Sequence, residues 1–301
     1  MRCLFLYNPN SGKGKIPQKL PLIERTLKTR YDEVEIYATK SAEDLKRKVA
    51  ESAEEFDAIV FAGGDGTFHL VIDAIGEREV KLGYLPAGTA NDVARSIGIP
   101  TNTKKALKVI LDGKCDKVDC MRINEKDHAM YIAAAGAFTQ ATYSTPQENK
   151  RRLGWFAYGF EGMKNRAKFD SFPIEITCGE RHEKVNAVLI LAMNGRSVAG
   201  FRVNKRASMQ DGKIEVVVLR DREHLGAWGR LRAFLCTVRL FLFGCRRDSK
   251  HFLRLEGDSV SVKANEDVVW DLDGEKGDAG NLTIRVLQKH VTMFVPKNKK
   301  I

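Results

Sequence analysis

The sequence has no C-x-x-C pair: its six cysteines, at 3, 115, 120, 178, 236 and 245, are scattered along the 301 residues. That excludes zinc-finger spacing and a disulfide framework, and reduced thiols are the expected state. The six histidines are equally dispersed, so no histidine-based metal site is expected. There is no internal repeat and no low-complexity tract. No run of about 18 uncharged apolar residues occurs, so no spanning helix is expected. The apolar run Cys3–Tyr7 is too short for a signal h-region and continues into Asn8-Pro9, so a cytoplasmic rather than a secreted protein is expected. A P-loop is missing as well, because the G-x-x-x-x-G-K-[ST] spacing occurs nowhere.

Acidic residues are the scarcer charge, 39 against 50 Lys and Arg, for a net +11. The imbalance is local. Residues 1–120 hold 19 Lys and Arg against 18 Asp and Glu, and the remainder holds 31 against 21. A basic surplus confined to one part of a chain favours nucleic acid, an anionic membrane surface or acidic substrates as partner.

What is present is a set of glycine turns. Asp57–Ala62 reads as a buried strand and Phe68–Ile75 as a helix, with Gly63-Gly64-Asp65-Gly66-Thr67 as the turn joining them. Glycine permits positive φ and close ligand approach. The helix N-terminus beyond it offers unpaired N–H groups and a positive dipole end, a natural seat for phosphate. Asp65 inside such a turn makes sense where a metal ion or a hydroxyl proton lies between it and the phosphate. Residues 2–7 form a first strand, ended by Asn8-Pro9-Asn10-Ser11-Gly12-Lys13-Gly14-Lys15. Strand 81–85 ends in Pro86-Ala87-Gly88-Thr89-Ala90-Asn91-Asp92. Helices are expected at about 17–30, from a capping Ser41 to about Glu55, at 92–97 and at 103–112, with strands at 34–37 and 115–123. Strand and helix alternate throughout, which predicts a parallel sheet with helices on both faces. All three turns then fall at strand C-terminal ends, where such sheets bind ligands.

Beyond 120 the texture changes to short apolar or alternating runs at 130–136, 172–177, 185–193, 213–219, 259–264, 268–272 and 282–287, which predict an antiparallel sandwich or barrel. Two helical pieces interrupt it. One, 150–168, is basic and aromatic. The other, 225–243, carries Trp228, Leu231, Leu235, Val238 and Leu242 on one stripe beside Arg232 and Arg239. A helix packed on the sheet with snorkelling arginines and a membrane-facing amphipathic helix both fit that pattern. Asp211-Gly212 and Asp273-Gly274 read locally as hairpin turns.

Taken together, Asn8–Lys15, Gly63–Thr67, Pro86–Asp92 and Leu272-Asp273-Gly274-Glu275 resemble the diacylglycerol kinase catalytic family, which includes soluble bacterial lipid kinases and sphingosine kinases and is related to NAD kinases. The likeness extends over essentially the whole chain. It implies an α/β fold: a parallel-sheet nucleotide-binding domain with helices on both faces (1–121 with 291–301) and a mainly antiparallel β-sandwich lipid-substrate domain (122–290). By motif position it implies that Asn8, Ser11, Lys13 and Lys15 contact the phosphates of ATP. Gly64, Asp65, Gly66 and Thr67 hold phosphates and Mg2+, and Gly88, Thr89 and Asn91 complete the nucleotide edge with support from Asp92. Asp119 matches a family acid near the Gly63–Thr67 turn. Asn149–Tyr158 matches a family segment, and Ser208, Asp211 and Lys213 match a stretch that binds a structural Mg2+. Asp273 is the expected base for the acceptor hydroxyl, ahead of Asp271, with Asp65 and Glu275 assisting the chemistry.

The implied activity is ATP-dependent phosphorylation of a lipid hydroxyl, with diacylglycerol the leading acceptor and a sphingoid base, prenol or phosphatidylglycerol behind it. A soluble NAD kinase-like enzyme and a non-catalytic membrane-binding module are the rival functions. The expected partner is a lipid at an anionic membrane surface, with no nucleic acid, and the resemblance suggests a homodimer.

Overall fold

A computed structural model describes residues 1–9, 14–137, 171–221 and 227–297. Ser11, Lys13, the expected helix at 150–168 and the segment Asn149–Tyr158 lie outside the described residues. The chain divides into two compact units, Met1–Cys120 with Ser208–Asp211 and Leu287–Ile301, and Met121–Ala207 with Gly212–Val286.

In the first unit strands and helices alternate: β1 (Arg2–Tyr7), α1 (Leu20–Leu27), β2 (Glu33–Ala38), α2 (Ala42–Ser52), β3 (Ala58–Gly63), α3 (Asp65–Ile75), β4 (Lys81–Pro86), α4 (Asp92–Ile97), α5 (Thr103–Asp112) and the start of β5 (Lys114–Ile123). β1 pairs in parallel with β2 and β3, and β3 with β4. Parallel strands covered on both faces are apolar along their length, and all six residues of β3 are buried. Ser41 caps α2 by accepting from the Asp44 amide at 3.1 Å, and α2 stops at Ser52 rather than near Glu55. The final strand enters this sheet at its end, Met293 pairing in parallel with Leu82.

The register explains why the three motif turns are neighbours. Tyr7 lies beside Ala62, and Gly63 beside Pro86. The turns leaving β1, β3 and β4 therefore emerge from adjacent strands at the same edge.

The second unit is antiparallel. β6 (Asp127–Ala129), β7 (Ile132–Gly136), β8 (Phe172–Cys178), β9 (Arg181–Met193), β10 (Ile214–Asp221), α6 (Ala227–Phe243), β11 (Phe252–Gly257), β12 (Ser259–Ala264), β13 (Val269–Leu272), β14 (Glu275–Ala279) and β15 (Leu282–Val295) follow in order. Strand β9 pairs with β7, β8 and β10. β10 pairs with β11, β12 with β8 and β15, and β13 with β7 and β14. Inward-facing Ile174, Ile176, Ile190, Val216, Leu253, Val260, Trp270 and Ile284 build one core. Trp270 is fully buried, and its indole N–H donates to the Gly280 carbonyl at 2.8 Å. A parallel α/β region followed by an antiparallel sandwich is the architecture the sequence predicts. Strands β6, β11 and β14 were not anticipated: β6 has three residues, β14 is polar, and β11 offers only Phe252, Leu253 and Leu255 as an apolar signal.

Candidate active site

The Gly63–Thr67 turn is tighter than its sequence suggests. Gly63 is still strand and Asp65 is already helix, so Gly64 alone stands between them. The turn glycines are absent from the positive-φ backbone positions. Their role is close approach. A Cβ on Gly63 would lie 2.3 Å from the Thr67 side chain, and a Cβ on Gly88 would lie 2.5 Å from the Gly64 Cα. The two turns touch backbone to backbone, and the Ala87 amide donates to the Gly63 carbonyl at 2.7 Å. Gly64, as N-cap, makes no side-chain bond to the first-turn amides of α3. Such amides and the dipole end behind them favour an anion.

Asn91 shapes the second turn from within. It adopts the left-handed conformation at φ 51°. Its side chain accepts from the Gly88 amide and donates to the Gly88 carbonyl, both at 2.8 Å. Tyr84 ties the turns together, its hydroxyl donating to the Gly63 carbonyl at 3.1 Å and lying 3.4 Å from Asn91 Oδ1. Burial, followed by the charges of Asp65 and Asp92, pushes the Tyr84 phenol well above its ordinary value, so it remains a donor. Tyr84 was missed at the sequence level; a polar aromatic residue in an otherwise apolar strand entering a glycine turn was the available signal.

Asp65 opens α3 half-buried, and its Oδ1 accepts from the Val93 amide at 3.3 Å. It thus links the first turns of α3 and α4. Asp92 is fully buried at the start of α4. Asn8 is half-buried at the end of β1, while Lys15, Gly88 and Thr89 are exposed, and Gly66 and Thr67 are half-buried in the first turn of α3. The donors here are oxygens and backbone amides, the set that suits a triphosphate carrying Mg2+, which takes one or two carboxylates and completes its octahedron with phosphate oxygens and water. Among the described residues no three His, Cys, Asp or Glu side chains gather as a metal cage. The glycine cradle and its oxygen donors fit a metal–nucleotide.

Asp119 is buried in β5, where its carboxylate accepts from the Lys289 amide at 2.7 Å and its own amide donates to the Met209 carbonyl at 2.6 Å. It organises the Ser208–Asp211 stretch and the positive-φ position at Lys289 within β15. The Gln210 side chain adds a bond to the Lys117 carbonyl at 2.8 Å. Asp211-Gly212 is therefore not a hairpin: no strand precedes it, and the stretch is held by β5. Ser208 Oγ accepts from the Gln210 amide, Asp211 is exposed, and Lys213 pairs with Glu256 at 2.9 Å.

In the second unit Asp273-Gly274 is a two-residue hairpin turn joining β13 to β14, with φ of 55° and 92°. Positive φ at both positions is the twist-matching geometry for such a turn. Asp273 is only 2% exposed. Its carboxylate accepts from the Met130 amide, from Tyr131 at 2.9 Å and from Ile132 at 3.1 Å. The β13–β7 pairing, Leu272 beside Ala133, brings it there. Asn194 buttresses the same backbone, donating to the Met130 carbonyl at 2.8 Å. Asp271 is also buried and accepts from the Gly274 amide at 2.9 Å, closing the turn, while Glu275 is exposed. The 130–132 amides and Asn194 were not foreseen, because backbone donors leave no mark in a sequence.

Two family models match the chain: the diacylglycerol kinase catalytic domain over residues 2–123, and the YegS C-terminal NAD kinase beta sandwich-like domain over residues 132–295. The chain is 29% identical over 303 residues to the diacylglycerol kinase of Staphylococcus saprophyticus subsp. saprophyticus, covering 99% of this chain and 97% of that protein. It is 28% identical to the diacylglycerol kinase of Bacillus subtilis (strain 168), with the same coverage. A solved structure from Bacillus anthracis str. Sterne has the same fold, with a TM-score of 0.82 at 24% identity over 98% of this chain and 95% of that one. A second, of a diacylglycerol kinase from the same organism, gives a TM-score of 0.76 at 22% identity over 98% and 96%. With both of its units matched in order and along nearly its whole length, the chain belongs to the diacylglycerol kinase catalytic family and is an enzyme of the lipid kinase class.

Proposed function

We propose that this lipid kinase transfers the γ-phosphoryl group of ATP to the hydroxyl of diacylglycerol, giving phosphatidic acid and ADP, while peripherally attached to an anionic membrane. The observation that carries the reading is the cradle at the head of α3, where the Gly64 and Gly88 backbones meet with no room for a side chain. In phosphoryl transfer the protein's contribution is positioning and charge stabilisation. The first-turn amides of α3 and Thr67 hold phosphate oxygens, Asn8 and Ser11 contact them through polar side chains, and Lys13 and Lys15 neutralise their charge. Gly88, Thr89 and Asn91 border the nucleotide, with buried Asp92 behind them. Mg2+, when bound to the triphosphate beside Asp65, supplies neutralisation of the charge on the transferred group.

Asp273 accepts the proton of the attacking hydroxyl. A carboxylate offers about four acceptor positions, and three of those on Asp273 are bonded to backbone amides. The group is thereby fixed in one orientation, and the proton passes to it late in the transfer. Glu275, exposed at the start of β14, assists at the nucleotide side. Asp211, by its carboxylate, and Ser208 and Lys213, by their backbone carbonyls, would hold a structural Mg2+.

The deciding experiment incubates the enzyme with labelled ATP and a total lipid extract, then identifies the labelled product. Labelled phosphatidic acid, with ADP released in equal amount, is the expected result. Label on a sphingoid base, a prenol or phosphatidylglycerol would replace the acceptor, and turnover with NAD alone would overturn the reading.

A further inference from the structure

The helix α6 presents an apolar stripe to solvent. Trp228 is 84% exposed, Leu231 44%, Leu235 57%, Leu242 46% and Phe243 65%. Among the described residues the only other large hydrophobic side chain so exposed is Met1. At about 100° per residue, positions 228, 231, 235 and 242 fall within an arc of roughly 60°. The opposite side of the helix carries the packing. Ala233, Thr237, Leu240 and Phe241 are buried, and Phe241 meets Phe201 edge to face at 5.9 Å. The far end is pinned: the Gly244 amide donates to the Leu240 carbonyl at 2.7 Å, and Gly244 sits so close to Val203 that a Cβ would lie 2.3 Å from its carbonyl. The stripe is thus displayed by an anchored helix whose inner face is already occupied.

We propose that this stripe is the surface by which the kinase docks on an anionic bilayer, the helix lying in the interface with Leu231, Leu235 and Leu242 against the acyl chains and Trp228 at the headgroup boundary. The inference rests on the lipid-kinase reading for its purpose but on the helix alone for its geometry. Charge selects the occupant. Residues 227–247 contain arginines at 230, 232, 239, 246 and 247 and no acidic residue. Arg239, Arg246, Arg247 and Lys250 are exposed, and the one acid among residues 227–250, Asp248, is paired with Arg181 at 3.1 Å. A second copy of the chain would set cation against cation, whereas anionic headgroups complement both the charge and the apolar stripe. Tryptophan at the rim suits the headgroup boundary. No described helix is long and apolar enough to cross the membrane, so the helix lies on the bilayer.

The test uses the full chain with vesicles of 30% phosphatidylglycerol in phosphatidylcholine. Leu231→Ser/Leu235→Ser should weaken vesicle sedimentation at least tenfold and lower turnover of vesicle-borne diacylglycerol in parallel. Turnover of water-soluble dihexanoylglycerol and the melting temperature should not change. In a Trp155→Phe background, brominated lipids should quench Trp228 emission. Unchanged sedimentation, or no quenching, overturns the proposal. Loss of a concentration-dependent dimer in the same variant, with vesicle affinity intact, also overturns it and assigns the stripe to a second copy. Absence of dihexanoylglycerol turnover in the parent enzyme would count against the kinase reading alone, since sedimentation and quenching still report on the stripe.

Discussion

At the scale of single residues, the two acids central to the proposed chemistry have different structural obligations. Asp65 spends one oxygen on the Val93 amide at 3.3 Å. Asparagine keeps a carbonyl oxygen for that bond, removes the charge and turns the other oxygen into an NH2 donor. Asp65→Asn should therefore melt within about 2 °C of the parent while turnover falls by about 100-fold or more. Asp65→Ala should lose turnover and also about 1 kcal/mol of stability. Parallel melting curves and initial rates check both. Asp273 is bound differently, since both of its oxygens face amide donors. Asn at 273 tolerates the left-handed turn but must direct its NH2 at an amide N–H. Asp273→Asn should cost on the order of 1–3 kcal/mol, measured by urea unfolding, as well as abolishing turnover. A fully stable, inactive Asp273→Asn protein would contradict the amide arrangement, and a destabilised, active one would remove Asp273 from catalysis.

At the scale of elements, the decisive feature is the contact between two turns. The sequence puts Gly64 and Gly88 in two turns at one sheet edge, and at 63–67 it offers positive φ and close ligand approach as the reasons for glycine. Neither uses positive φ; each is glycine because the other is there. Gly88→Ala places a methyl group 2.5 Å from the Gly64 Cα and 2.9 Å from Asn91 Oδ1. Backbone cannot yield as a flexible side chain does, so overpacking of about 1–3 kcal/mol is expected. The displacement should appear as a raised KM for ATP of about tenfold or more. Steady-state kinetics with varied ATP against a fixed acceptor, with a melting curve alongside, measures it. The hairpin at Asp273-Gly274 makes a related point. Turn and site were competing readings of one dipeptide, and it serves as both: the positive-φ turn points the carboxylate back over the start of β7.

At the scale of the whole molecule, apolar burial leaves a titration signature. Burial pushes the Cys3 thiol up to about 12 from an ordinary value of 9.0, and raises the Tyr31 and Tyr84 phenols for the same reason. A group whose folded value is raised favours the folded state while it stays protonated. In the unfolded chain it ionises first. Its contribution is therefore intact below pH 9 and is lost as the pH climbs toward 12. From Cys3 alone the loss should reach about 2 kcal/mol by pH 10.5. Urea midpoints at pH 7, 9 and 10.5 should fall progressively, and Cys3→Ala should flatten the slope. A midpoint independent of pH over that range would contradict the burial of this strand.

Much of this architecture was legible in advance because its causes are local. Apolar runs of strand length, Ser41 before Glu43 and Asp44, and glycine turns at strand ends each act within a few residues. The parallel unit and the antiparallel unit follow from their order. The polar strand β14 left no such trace, and Asp211-Gly212 looked like a hairpin because its fixing bonds come from Lys117 and Asp119. The two possibilities for α6 could not be separated by periodicity, since a helix with apolar residues on several faces gives each face equal claim to the core.

By itself the sequence determined the two-part fold, the three motif turns and their presence at one edge of a parallel sheet, because hydrophobic period and turn chemistry are short-range. Only the tertiary structure decided that Gly64 and Gly88 are glycines for each other's sake, that Asp273 is held by the 130–132 amides, and that Trp228, Leu231 and Leu235 face outward. Each of those depends on which distant backbone arrives beside the residue, and side-chain identity carries no record of that arrival.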